Sequence, residues 1–166
     1  MKAIRSSLEL YAHAIAIERE AAERYMEFAQ RMDDLGNEAV AAVFATLARF
    51  ETEHLVALER RTDGVSLPEL QTNDYRWLDA GAPETPAREL VFRLMTPRGA
   101  LAIALEAEKR AQTFFEGVLM TAEDPALRGL AREMAAEESE HVMLIERLLK
   151  GTPDAFVDWA SVYERS

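Results

Sequence analysis

The sequence predicts an all-α protein: a four-helix bundle with a long link between its second and third helices. Three observations predict it. Four segments carry apolar residues at alternating spacings of three and four, the period of a helix that buries one face. The 6 prolines fall outside those segments or in their first turns, never in their interiors. Two of the apolar seams are broken midway by the same motif, Glu51-x-x-His54 and Glu138-x-x-His141.

At 166 residues the chain reads as one domain, residues 1–166, large enough to bury a core without covalent staples. It contains no cysteine, which excludes disulfides, thiolate nucleophiles, iron–sulfur ligation and Cys-based zinc sites within this chain. A formal net charge of −11 argues against nucleic acid as a partner. Glu9, His13 and Glu18 interrupt the N-terminal region before any run of signal-peptide length, and no stretch approaches a membrane span. The expectation is a soluble, cytoplasmic protein with no membrane partner.

The first helix begins near Ser6, where Ser6-x-x-Glu9 fits a capping box, and stops at about Asp33 before Gly36. Its seam is Leu8, Tyr11, Ile15, Glu18, Ala22, Tyr25, Ala29 and Met32, with Glu9, Glu20, Glu23, Glu27 and His13 read as surface. A second helix follows Asn37 as N-cap and runs to about Arg61, with Val40, Phe44, Leu47, Glu51, His54 and Leu58 on its seam. Residues 62–96 carry Gly64, Pro68, Gly81, Pro83 and Pro86 and form a long connection, with a short helix around Leu90–Met95. Such a link suits a crossing of the whole bundle, since a helix of 25 residues is about 37 Å long. The third helix starts at Thr96-Pro97 and the fourth at Asp124-Pro125, each a polar cap followed by proline. Their seams are Leu101, Leu105, Glu108, Gln112, Phe115, Leu119 and Ala131, Met134, Glu138, His141, Ile145, Leu148, and the fourth helix stops at Gly151. Residues 152–166 are expected to add a short terminal helix carrying Phe156, Trp159 and Tyr163.

The two helix pairs echo each other. Glu18-x-x-Ala21-x-x-x-Tyr25 corresponds to Glu108-x-x-Ala111-x-x-x-Phe115, and Glu51-x-x-His54 to Glu138-x-x-His141. Residues three apart share a helix face, so each Glu/His pair can hold one ion. Two such pairs facing each other, with one more Glu from each remaining helix, make a dinuclear carboxylate site. That gives six ligands: Glu18, Glu51, His54, Glu108, Glu138 and His141. The donor set suits iron or manganese and accepts zinc. One Glu-x-x-His arises easily by chance; two matched copies with two seam glutamates are poorly explained as ordinary polar positions. Tyr25 lies on the Glu18 face, where it can donate to a ligand carboxylate or simply fill the core. Gln112 can orient a carboxylate or serve an interface.

With these residues the chain resembles the ferritin-like diiron superfamily, and within it the rubrerythrin family, over all four helices. The resemblance implies a ferritin-like bundle and a centre of two iron ions held by those six residues. It also implies reaction with hydrogen peroxide or dioxygen, peroxide reduction being the usual rubrerythrin activity and a link to oxidative stress. Glu51 and Glu138 would bridge the ions, and Glu18 and Glu108 would be terminal. The catalytic group would then be Glu18, Glu51, Glu108, Glu138 and Tyr25.

Two departures stand out. Typical rubrerythrins carry a rubredoxin domain with four cysteines; none occurs in this sequence, so electrons would come from an external, rubredoxin-like donor. A further family glutamate one turn beyond Glu108 is replaced by Ala111. The alternative is a ferroxidase or iron-storage protein of bacterioferritin type, in which Thr52 stands where the haem-binding methionine would be. A metal-free adaptor bundle would leave Glu18 and Glu108 unexplained. A homodimer is the expected assembly.

Overall fold

The computed structural model describes residues 4–70 and 95–153. They form four helices: α1 (Ser7–Asp34), α2 (Glu38–Arg61), α3 (Pro97–Thr121) and α4 (Pro125–Gly151). No strand occurs among the described residues. The helix expected near residue 90 and the one after residue 152 fall outside them.

Each start has the chemistry its sequence announces. Ser6, Asn37, Thr96 and Asp124 accept hydrogen bonds from the backbone N–H groups of Glu9, Val40, Gly99 and Leu127, satisfying donors that the first turn leaves open. The Ser6 box is half of the reciprocal form, because the Glu9 carboxylate accepts from the Arg5 N–H. Gly36 leaves α1 at φ +74°, a left-handed conformation that suits glycine. At the far end of α4, the Arg98 guanidinium donates to the Leu149 and Thr152 carbonyls, closing the helix terminus from the neighbouring α3.

α1 packs chiefly on α2 and α3 on α4, and the two hairpins meet through α1 against α4 and α2 against α3. The core divides into two apolar clusters. One gathers Leu10, Ile15, Phe115, Val118, Leu127 and Met134; the other gathers Tyr25, Met32, Phe44, Leu47, Leu101 and Ile145. The second joins the N-terminal halves of both α2 and α3, so those helices run parallel. A link between parallel neighbours must return along the bundle, which is why residues 62–96 are long. Between the clusters lies a layer of buried glutamates.

Leu8, Leu148 and His13 differ from the sequence reading. Leu8 and Leu148 are 44 % and 41 % exposed, because Leu10 and Leu149 turn toward the core in their place. His13 is buried rather than on the surface: its Nδ1 donates to the Glu9 carbonyl at 2.8 Å and its ring stacks on Phe114. The helix buries a second stripe through Leu10, His13 and Ile17, wider than one seam.

Candidate metal centre

All four helices send a carboxylate into the central layer. Glu18, Glu51 and Glu108 are 4 % exposed and Glu138 is 3 % exposed, each mid-helix where its seam otherwise carries apolar side chains. Four acids buried this deeply are costly unless protonated, hydrogen-bonded or coordinated.

His141 is the hub. Its Nδ1 faces Glu108 Oε2 at 3.3 Å, Glu138 Oε2 at 3.5 Å and Glu51 Oε1 at 3.9 Å. Its Nε2 lies 3.0 Å from His54 Nε2, one ring donating to the other. Donor atoms of Glu51, Glu108 and His141 all fall within 4.8 Å of one another, the span of a shared ion. Glu18 joins through a side-chain hydrogen bond with Glu51. Each of the six residues read as ligands therefore touches another of the six.

The electrostatics follow from burial. Desolvation pushes Glu18 and Glu138 up to about 8, with neighbouring carboxylate charge adding to it, and holds Glu51 well above its ordinary value near 4.5. Burial alone would lower His141, but the carboxylates of Glu108, Glu138 and Glu51 outweigh it and push the imidazole up to about 12. His54 is lowered, by burial first and by His141 second. All the upward shifts mean that the layer retains protons that exposed groups would release.

The residues fit a cationic group. Glu18 Oε2 and Glu138 Oε2 are buried without a hydrogen-bond partner among the described residues, although Glu138 lies at ion-pair distance from His141. Such orphaned acceptors, beside imidazole nitrogens, are what a dinuclear cation site would satisfy.

Tyr25 donates to Glu108 Oε1 at 2.8 Å, stacks on Phe44 and is fully buried. Burial, then the Glu108 charge, keeps its hydroxyl protonated well beyond 10, so it acts as a donor. Phe115, the repeat-related residue, has no hydroxyl to offer Glu18, and the two halves of the site are unequal in that respect. Tyr25→Phe is expected to fold but lose about 1–3 kcal/mol, the cost of one buried acceptor left short of a donor, measurable by urea unfolding. Gln112 bonds to Ser139 Oγ and Glu116, tying α3 to α4 rather than orienting a carboxylate of the site. Ala111 is buried beside the carboxylates, so α3 contributes Glu108 and no second acid there. Glu20, read as surface, is half-buried at the edge of the layer, at an α1–α3 crevice that spacing on one helix does not reveal.

Among the described residues no helix is long and apolar enough to cross a membrane. No curated protein matches the chain. An uncharacterized conserved protein from Magnetospirillum magnetotacticum MS-1 has a solved structure that aligns at a TM-score of 0.74. It is 35 % identical, over 92 % of this chain and 99 % of that one. The family model described as Rubrerythrin matches residues 9–76, the stretch that holds Glu18, Glu51 and His54. By motif, bundle and similarity together, the chain belongs to the rubrerythrin family.

Proposed function

We propose that the protein is a diiron oxidoreductase that reduces hydrogen peroxide with electrons from a separate donor. One observation carries this reading. Four buried carboxylates and two part-buried imidazoles from four helices come together in one layer, and two of the carboxylate oxygens have no hydrogen-bond partner among the described residues. Glu18, Glu51, His54, Glu108, Glu138 and His141 would hold two iron ions, a pairing in keeping with the family. As a ferrous pair, the bound ions would supply the two electrons that convert one hydrogen peroxide and two protons into two waters.

The chain's own residues supply the rest. His54, kept neutral by burial and by His141, accepts from His141 at Nε2 and would turn that lone pair to an ion on binding. Glu51 and Glu138 both face His141, and their carboxylates would help hold the ions and offset their charge. Tyr25 fixes the Glu108 carboxylate by its hydroxyl, limiting how far that ligand can swing. The flanking apolar clusters keep bulk water from the layer. A rubredoxin-like protein is the kind of donor that would restore the ferrous pair, and a homodimer in the cytoplasm is the setting we assign.

Stopped-flow oxidation of the ferrous-loaded protein tests this. Peroxide is expected to oxidise it at least about tenfold faster than dioxygen, with all iron remaining protein-bound. Faster oxidation by dioxygen, with ferric mineral accumulating, would replace this reading with a ferroxidase.

A further inference from the structure

The central layer is hollow on one side. A cavity of about 20 Å³ between α1 and α3 is lined by Ala21, Ala107 and Ala111 and, within, by Glu51, Glu108 and Glu138. Small side chains leave this room. A separate surface groove of about 680 Å³ runs along α1, and the described residues lining it include Glu20, Glu23, Glu27, Glu59 and Asp63 beside Arg19 and Arg24. Glu20 lines both spaces. Glu138, which lines the cavity, keeps its buried Oε2 without a hydrogen-bond partner among the described residues.

We propose that Glu20 is the threshold through which divalent cations pass from the groove to the carboxylate layer, a route that rests on the metal-binding reading above. The cavity of about 20 Å³ holds a water-sized particle, which needs roughly 10–15 Å³, but not a divalent ion inside a full shell of waters. A cation must lose water before it enters, and that loss is costly unless charged oxygens replace what is shed. Glu20 stands where the shedding must begin, and Glu138 offers the next oxygen. The acid in the groove raises the local cation concentration ahead of that step. The route lies on the cavity side of the layer, whereas Glu140, whose charge is felt at His54, belongs to the histidine side.

Cobalt(II) uptake by the metal-free protein tests the route, followed by visible absorption in a stopped-flow mixer. Glu20→Gln keeps size and removes charge. It is expected to slow uptake by about tenfold, to flatten its decline with added salt, and to leave the final cobalt content and spectrum unchanged. Ala21→Leu, at the half-buried mouth, is expected to slow uptake without altering the salt dependence. Glu140→Gln is expected to leave the rate as it was. An unchanged rate in Glu20→Gln, or a slowed rate in Glu140→Gln alone, would overturn the route while the centre stands. Wild-type protein that binds no cobalt would overturn the centre itself, and the route with it.

Discussion

Loaded with divalent metal at about pH 8, the metal-free protein is expected to gain about 20 °C in thermal midpoint, and only a few degrees at about pH 5. The size follows from two sites at roughly 1,000 times their dissociation constant, about 4 kcal/mol each. The pH dependence follows from the buried acids. Glu18 and Glu138 titrate near 8 when folded and near 4.5 when unfolded, and Glu51 is raised in the same sense. Between those values the folded state binds more protons than the unfolded one. Their contribution is therefore complete below about 4.5 and is lost as the pH rises through about 8. His141, raised from 6.5 to about 12, acts with the same sign above 6.5. Without metal, alkali thus strips protons from a layer that cannot hold bare charge. Metal ions take the place of those protons, so binding releases them and strengthens with pH. Calorimetry at the two pH values, with and without metal, checks both halves. A metal-free midpoint that is flat from about pH 5 to 8, or a gain equal at both, would show that the carboxylates are not the cost that metal relieves.

The same cost made the layer of buried carboxylates legible in the sequence. A Glu at a seam position violates the helical pattern, and four such violations at matched places in two helix pairs have few physical explanations. The caps were legible for a similar reason, since Asn37, Thr96-Pro97 and Asp124-Pro125 each satisfy a local need that no distant contact alters. His13 was not legible. One seam describes contact with one neighbour, whereas α1 packs on both α2 and α4 and buries a second stripe. Nor could spacing show that Tyr25 reaches across to Glu108, 83 residues away, instead of serving Glu18 on its own helix. Glu20 belongs to the same class: its position depends on how far α1 stands from α3, which the small residues Ala107 and Ala111 set.

Glu108→Ala should remove one metal ion while the four helices persist, with affinity for that ion reduced at least about 100-fold and peroxide turnover lost with it. Glu108 ties the layer both to Tyr25 on α1 and to His141 on α4. It accepts from the Tyr25 hydroxyl, faces His141 at 3.3 Å and belongs to the group whose donors span 4.8 Å. The effect on the metal-free protein has the opposite tendency. Truncation strands the Tyr25 hydroxyl, at about 1–3 kcal/mol, but it also removes one of four crowded acids and the charge that raises Glu18, Glu51 and Glu138. The variant should therefore lose less stability as alkali is added than the wild-type apoprotein does. Glu108→Gln separates the two contributions, because an amide can still accept from Tyr25 while carrying no charge for a cation. Metal content by atomic emission and unfolding across pH read both out. Two ions retained at wild-type affinity would mean that α3 contributes no ligand. A metal-free variant as alkali-sensitive as wild type would mean that the four acids do not repel one another. A residue that costs the empty fold and secures the filled one would be kept for the metal it held.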